Sequence, residues 1–126
     1  YSYAGVLNVP TGLQLAGRNV VESGSNTNGY WVRLADGTQF CSCTTGAVGA
    51  TTVYGNAWIS EDSTWTFPAA SVAGSEPVVV GTQNSAKGVI GLNTPATPTS
   101  VVWARIAFFN DPTGRASRLL ASGRWY

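Results

Sequence analysis

Residues 28–43 read NGYWVRLADGTQFCSC, a pattern of two β-strands joined by a tight turn. The turn at 35–37, Ala-Asp-Gly, can form in two ways: as a two-residue Asp-Gly loop, or as a type I turn closed by a left-handed glycine. These two turns differ in strand register by one residue. Because side chains alternate along a strand, the register decides whether Phe40 or Cys41 shares a face with Val32. Both registers stay open at the level of sequence.

The composition of the 126-residue chain describes one domain with a neutral, polar surface. Charged residues make up 10% of the chain, against roughly 25% in an average soluble domain. Seven Lys and Arg face six Asp and Glu, so the net charge is +1 and no basic surface for nucleic acid is expected. No apolar run approaches the roughly 20 residues of a membrane span, so membrane insertion is not expected.

Beyond the hairpin, β-branched and aromatic runs separated by turn residues predict a series of short strands. They are expected at 57–60, 64–67, 78–83, 88–93, 101–109 and 117–126. Loops are expected at 44–56, 69–76 and 110–115, and no segment has the pattern of a helix. This spacing predicts an all-β antiparallel sandwich or barrel over residues 29–126, preceded by an irregular lead-in at 1–28. The chain starts at Tyr1 rather than Met, so we expect it to be the C-terminal piece of a longer protein.

Cys41 and Cys43 are the two cysteines of the chain, and their spacing places them on one face of a strand. Parallel side-chain vectors do not bring the sulfur atoms together, so we expect two small buried hydrophobic residues rather than a disulfide. The chain has no His, and two thiolates do not complete a zinc site unless a three-fold axis gathers ligands from three chains. No metal or other cofactor is therefore expected.

Catalysis is not expected from this set of residues. Without His, the chain has no Ser-His-Asp or Cys-His arrangement. A pair of carboxylates, as in glycoside hydrolysis, is the chemical alternative. Glu61 and Asp62 are adjacent, and on an extended chain they point to opposite faces. We therefore expect a protein that is not an enzyme.

The predicted strands at 101–109 and 117–126 are largely apolar on both faces, with arginines as the main interruptions. A sandwich strand that faces solvent on one side is normally polar there. The second face of these strands is therefore predicted to meet another chain, although a strand enclosed within a monomer fits the same pattern. The expected subunit-interface residues are Trp103, Arg105, Arg124 and Trp125.

Two groups of short motifs resemble a known family. The first half carries ESGSNTNG at 22–29, WVR at 31–33, DGTQ at 36–39 and Cys41; the second half carries WTFPAA at 65–70, PVVV at 77–80 and GRWY at 123–126. In this order and spacing they resemble the C-terminal knob of bacteriophage and prophage tail fibres. The chain departs from the family pattern at the loop around Pro112 and at 71–75, where an aromatic residue often follows FPAA.

The resemblance implies an H-type lectin-like fold, a six-stranded antiparallel sandwich that assembles as a homotrimer. Such a protein is made in the bacterial cytoplasm and sits at the tip of the tail fibre in the virion. There it binds a host surface glycan, lipopolysaccharide or another outer-membrane component. Two alternatives are a structural cap that holds the fibre in register without binding a receptor, and a secreted carbohydrate-binding lectin.

Strand parity predicts where a receptor would bind. If each connection reverses the chain, the loops at 35–37, 60–63, 84–87 and 110–115 fall at one end, and the lead-in and C-terminus fall at the other. A lead-in attached to a fibre shaft makes the four-loop end the one that faces the host. The candidate ligand-binding residues are Asp36, Asn84, Lys87, Asn110, Asp111 and Arg115 in or beside these loops, with Tyr54 and Trp58 as aromatic platforms beside a Gly-rich loop.

Overall fold

The computed structural model describes residues 12–84 and 87–126, and this part of the chain is all-β, with fourteen strands and no helix. The strands are β1 Gln14–Leu15, β2 Arg18–Asn19, β3 Val21–Asn26, β4 Gly29–Leu34, β5 Thr38–Thr44, β6 Val48–Ala50, β7 Thr52–Tyr54, β8 Ala57–Ile59, β9 Ser63–Thr66, β10 Val78–Gln83, β11 Gly88–Leu92, β12 Ser100–Ala107, β13 Asp111–Arg115 and β14 Ser117–Arg124. The predicted all-β class is confirmed.

Two five-stranded antiparallel sheets form the body of the protein. The first sheet has the strand order β10-β14-β5-β4-β3. The second sheet has the order β11-β12-β8-β7, with β9 paired to β12 beside β8. Two small pairs, β1 with β2 and β6 with β13, complete the pairing. Residues of both large sheets share one hydrophobic core, an arrangement consistent with a β-sandwich.

The hairpin of β4 and β5 takes one of the two registers that the sequence left open. Val32 pairs with Phe40, so these two side chains share a face, and Cys41 is turned into the core. The N–H of Gly37 donates to the carbonyl of Leu34 at 3.1 Å, and Gly37 has a φ of +96°. This is the type I turn closed by a left-handed glycine, which only glycine adopts without strain.

The core between the sheets contains large side chains from both. Trp65 and Phe67 meet edge to face with their ring centroids 4.9 Å apart. Trp103 on β12 belongs to the same cluster and is only 3% exposed, with Leu119 of the first sheet also buried there. Trp103 is therefore packed inside its own protomer, and its prediction as a subunit contact is wrong.

Six strands lie in segments where none was predicted. Strands β6 and β7 fall in the expected loop at 44–56, and β13 falls in the turn-rich segment 110–115. Strands β1, β2 and β3 fall in the predicted lead-in, where β3 pairs with β4 as the edge of the first sheet. These segments are short. Strands β3 and β7 form hairpins with the strands that follow them, whereas β6 and β13 become strands by pairing with each other across the sequence. Residues 1–11 of the lead-in lie outside the described part of the chain.

The loops are distributed over the two ends of the sandwich differently from the prediction based on strand parity. The C-terminal residues pack on the 35–37 turn: the N–H of Trp125 donates to the carbonyl of Gly37 at 2.9 Å, and Nη2 of Arg124 donates to that of Asp36 at 2.7 Å. We call this the terminal end. The opposite far end carries the β3–β4 turn, the segment after β5, and Asn84, whose N–H donates to the carbonyl of Ala116 at 3.1 Å.

The parity argument fails because the chain does not reverse at 60–63: β8 and β9 both run antiparallel to β12, so they run in the same direction as each other. The turn at 35–37 consequently lies beside the C-terminus, and not with the loops after Gln83 and before Ser117. Residues 60–63 run alongside the middle of β12, where Ser63 pairs with Trp103. Only two of the four predicted loops, 84–87 and 110–115, share an end, and residues 85 and 86 lie outside the described residues.

Candidate functional site

A groove of about 420 Å³ opens between the two sheets at the far end. One wall is the β3–β4 turn with the end of β5, and the other is β9 with β12. The residues that define its chemistry are Asn28, Thr44, Thr45, Ser63, Trp65 and Trp103. We refer to this cavity as the groove.

The β3–β4 turn is shaped by a glycine that no other residue can replace without strain. Gly29 has a φ of +132°, and a Cβ at this position would overlap the carbonyl oxygen of Ser42 on β5. The N–H of Asn28 donates to Oδ1 of Asn26 at 2.8 Å, closing the turn. Local chemistry therefore holds the backbone of this wall in one conformation.

The turn also fixes the indole on the opposite wall. Nε1 of Trp65 donates to the carbonyl of Asn28 at 2.9 Å, so the ring spans the gap between the sheets. Trp65 and Trp103 are both almost fully buried, and together they contribute the apolar floor of the groove. Because the backbone of Asn28 holds the indole, its side-chain amide has no part in that contact.

The segment after β5 is tied to the start of β14. The N–H of Thr45 donates to the carbonyl of Ser117 at 2.8 Å, and the N–H of Ser117 donates to Oγ1 of Thr45 at 3.0 Å. These reciprocal hydrogen bonds leave the neighbouring Thr44 exposed at the mouth of the groove. The hydrogen-bonded backbone of Thr45 makes this wall rigid, and the exposed side chain of Thr44 makes it polar.

Several polar side chains of the groove have no partner within the described part of the protein. The amide of Asn28 and the hydroxyl of Thr44 are exposed, the hydroxyl of Ser63 is half-buried, and none of the three makes a hydrogen bond there. An amide supplies donors and acceptors, and a hydroxyl supplies one donor and two acceptor lone pairs. The groove therefore offers unused hydrogen-bonding capacity to a ligand.

The groove is uncharged. None of the described residues that line it is Lys, Arg, Asp or Glu. Its titratable side chain is the thiol of Cys43, and burial raises the pKa of that thiol to about 11. The thiol is consequently neutral at physiological pH. Such a lining suits a neutral, hydroxyl-bearing ligand better than a charged one.

Next to the groove lies a buried ion-pair network that includes two predicted ligand residues. Asp111 is 2% exposed, and Oδ2 of its carboxylate accepts from Nη2 of Arg105 and, at 2.6 Å, from Nε of Arg115. The hydrogen bond from Arg115, with that from Arg105, lowers the pKa of Asp111 to about 2 against the opposing effect of burial. The carboxylate is committed inside the protein, so the prediction of Asp111 as a receptor contact is wrong.

Arg105 is the centre of this network and is completely buried. Its Nε donates to Oε1 of Gln83 at 2.8 Å, and its Nη1 donates to the carbonyl of Val48 at 3.1 Å. These contacts join the two sheets and the β6–β13 pair. Arg105 was predicted at a subunit interface, but it is 0% exposed within its own protomer and presents no surface to another chain.

The other predicted site residues are dispersed over the molecule. Asp36 is exposed at the terminal end, where its side chain accepts from the N–H of Thr38 at 2.8 Å, and this hydrogen bond lowers its pKa. Asn84, Lys87 and Asn110 are exposed at the far end. None of these lines the groove.

The predicted aromatic and C-terminal residues also lie apart from the groove. Tyr54 is exposed and borders a depression of about 70 Å³ on the second sheet, and Trp58 is half-buried on β8. Arg115, the remaining loop candidate, is half-buried and held by Asp111. At the terminal end, Arg124 is exposed and Trp125 is half-buried, with its indole Nε1 donating to the carbonyl of Leu34 at 2.9 Å.

Sequence reasoning missed Asn28, Thr44 and Ser63. A signal for the first two was present, because the start of β4 and the end of β5 lie side by side in any antiparallel hairpin of residues 28–43. The flanking segments, 26–28 and 44–45, are both Asn- and Thr-rich and therefore had to form one polar surface. Ser63 joins them only through the packing of the second sheet on the first.

Comparison of the chain with protein-family models, curated proteins and solved structures finds no match. Within the described residues, no helix is long and apolar enough to cross a membrane. The same residues contain no group of three or more His, Cys, Asp or Glu side chains placed to hold a metal ion. The groove is thus characterised by its own geometry and chemistry.

Proposed function

We propose that this chain is the tip domain of a bacteriophage tail fibre, with an H-type lectin-like fold and a homotrimeric assembly, and that it binds a host surface glycan without catalysis. The resemblance of its motifs to tail-fibre knobs supports the family. The groove supports the binding role, and its uncharged lining of unpartnered amide and hydroxyl groups over two tryptophans is the observation that carries the proposal.

The chemistry of the groove matches that of a sugar ring. Ring hydroxyls exchange hydrogen bonds with the amide of Asn28 and the hydroxyl of Ser63, directly or through water. The apolar C–H face of the ring contacts the tryptophan floor. One such site is weak, with a Kd in the ~µM to ~mM range, and three copies on one fibre tip raise the apparent affinity by avidity.

The groove selects among bacterial surface glycans by charge. A phosphate or an acidic sugar would lose its hydration in a cavity with no lysine or arginine to replace it. Neutral hexoses of a surface polysaccharide have no such cost. The ligand class that we propose is therefore a neutral stretch of polysaccharide, rather than the phosphorylated inner part of lipopolysaccharide.

A structural cap is the second candidate, and one observation favours it. The outer surface of the first sheet exposes several large apolar side chains, among them Val78 and Tyr30, as expected of a domain whose main task is assembly. A cap and a binding tip differ in one property. Only the binding tip attaches to host cells.

Adsorption of the purified chain to host cells tests the proposal. The domain should bind the cells and compete with the parent particle, and Asn28→Ala combined with Ser63→Ala should weaken binding about tenfold, since each net hydrogen bond contributes about 1 kcal/mol. Asn110→Ala is the matched control, because Asn110 is an exposed asparagine of the far end outside the groove. A folded, assembled domain that neither binds nor competes would leave the cap as the function.

A further inference from the structure

The outer face of the first sheet is apolar and uncovered. We define it as the side chains of β10, β14, β5, β4 and β3 that point away from the core. Val78 is 69% exposed and Leu120 is 41% exposed, and Phe40, Tyr30 and Val80 are also exposed. Contiguous apolar surface of this kind is uncommon on a monomer and marks an interaction site.

Bulky and small side chains alternate across this face. Strand register places Ser25, Tyr30, Ser42, Leu120 and Val80 in one row. The next row is Ser23, Val32, Phe40, Ser122 and Val78. Serine positions are recesses beside protruding aromatic and aliphatic groups, which is the relief that interdigitating layers require. The face supplies both knobs and holes, so the protruding groups of one copy fit the recesses of the next copy around a three-fold axis.

Ionised groups are confined to the margin of the outer face. Among its described residues, only Arg118 and Arg124 are charged, and they lie near opposite ends of β14. Stable electrostatic docking on an anionic membrane takes clusters of about four to eight basic residues. Two separated arginines do not form such a cluster, and the apolar centre favours a protein partner.

The outer face of the second sheet provides the contrast. On β12, Ala104 is buried, and Val102 and Ile106 are half-buried by the chain itself. Above them, Nδ2 of Asn93 donates to Oδ2 of Asp62 at 2.8 Å, and both residues border the depression next to Ala104. The sequence predicted a partner chain for the second faces of both 101–109 and 117–126. The protein covers much of the first by itself and leaves the second open.

The outer face is large enough to hold an assembly together. Five strands about 4.8 Å apart, with about six residues each at about 3.3 Å per residue, present roughly 400–500 Å² in projection. Side-chain relief enlarges the accessible area, which then approaches the ~800 Å² that each partner contributes to a standard interface. Neighbouring copies of the chain are therefore sufficient to cover it.

We propose that the outer face of the first sheet is the surface through which copies of this chain pack against one another around the assembly axis. This inference rests on the homotrimer of the proposed function and assigns its contact surface. The apolar rows of one copy enter the serine recesses of the next, and the arginines remain at the solvated margin. The groove opens between the sheets, away from the centre of the contact. Thr44 borders both surfaces, because it lines the groove and its side chain alternates on β5 with the core-facing Cys43.

The test is the mass of the purified chain in solution, measured by light scattering over a range of concentrations. Leu120→Asp places a carboxylate in the centre of the contact and should raise the half-dissociation concentration about 100-fold or more. Val53→Asp is the matched control, because Val53 is 68% exposed on the edge strand β7, off the outer face. Val80→Asp serves as a second variant, and circular dichroism verifies folding in each.

We expect the wild type and Val53→Asp to assemble, and both outer-face variants to be single chains. A monomeric wild type would overturn the inference, as would equal dissociation of Leu120→Asp and Val53→Asp. A monomer that sediments with vesicles of phosphatidylglycerol would assign the face to membrane instead. The groove is tested separately: Asn28→Ala with Ser63→Ala should lose adsorption while remaining assembled, so failure of either proposal is recognisable.

Discussion

Two polar clusters lie side by side at the far end of the sandwich and have opposite characters. In the ion-pair network, Arg105 and Asp111 are buried, and each of the three nitrogens of the Arg105 guanidinium donates to an acceptor. In the groove, Asn28 and Thr44 are uncharged, exposed and without a partner within the described residues. Val48 belongs to both, since it lines the groove and its carbonyl accepts from Arg105.

The difference shows where stability and binding reside in this protein. A buried charge whose hydrogen bonds are all made within the chain has nothing left to offer a ligand, and it loses much if one partner is removed. A neutral amide or hydroxyl at the mouth of an empty cavity costs the fold little stability, because water solvates it. It gains hydrogen bonds when a ligand enters the cavity. Charged loop residues are therefore weak indicators of a site until their partners are known.

Removal of Arg105 breaks the network most severely. In Arg105→Met the carboxylate of Asp111 stays buried with half of its ion pairing, and the free energy of unfolding should fall by about 3–5 kcal/mol. Urea denaturation measures this. Lys87→Met, an exposed position at the same end, should change it by less than about 0.5 kcal/mol. Equal effects would show that the network does not stabilise the fold.

Substitution of Gly29 tests the wall of the groove. Gly29→Ala forces a side chain into left-handed backbone and against the carbonyl of Ser42, and should cost about 1–3 kcal/mol. Gly46→Ala lies in the same groove with open space around its added methyl group, and should cost at most about 0.5 kcal/mol. Thermal unfolding compares the two. Equal tolerance would mean that the β3–β4 turn has a different conformation.

The pH dependence of the free energy of unfolding tests the ion-pair network. The pKa of Asp111 in the folded protein is lowered from 3.8 to about 2, so its contribution to stability is complete above pH 4 and is lost as the pH falls towards 2. Urea unfolding of wild type and Asp111→Asn should therefore show a difference at pH 6 that narrows by pH 2. A difference that stays constant over this range would contradict the assignment.

The smallest change in the free energy of unfolding is expected at Ser117, which lies between the two clusters. Oγ of Ser117 is buried, and it makes no hydrogen bond in the described protein. Ser117→Ala removes an unpaired polar atom and should leave the free energy of unfolding unchanged or raise it by up to about 1 kcal/mol. Thr45→Val, which removes the acceptor for the N–H of Ser117, should lower it by about 1 kcal/mol. If Thr45→Val were more stable than Ser117→Ala, the hydrogen bond from the N–H of Ser117 to Oγ1 of Thr45 would not stabilise the fold.

Local chemistry made part of this structure predictable. The hairpin at 28–43 and strand β10 follow from turn residues and β-branched runs, and both form as expected. The choice of register was not predictable, because it depends on whether Cys41 fits the core that distant residues build. Strand β13 was missed for a similar reason, since its Pro- and Gly-containing segment becomes a strand only by pairing with β6.

The site was harder to predict than the fold. Arg105 interrupts an apolar strand. The sequence alone does not reveal whether its guanidinium pairs with a group of another chain or with the nearby Asp111. The adjacency of 26–28 and 44–45 was present in the hairpin pattern. The floor of Trp65 and Trp103, which turns that polar surface into a groove, depends on how one sheet packs on the other.

The most direct test of glycan binding is a titration of the isotopically labelled domain, followed by NMR. The probe is a neutral oligosaccharide released from the surface polysaccharide of a bacterial strain to which the purified domain adsorbs. We predict chemical-shift changes at the amides of Asn28, Thr44 and Ser63 and at the indole N–H of Trp65. Changes confined to residues 84–87 and 110–115, with none in the groove, would contradict the assignment of the groove as the binding site.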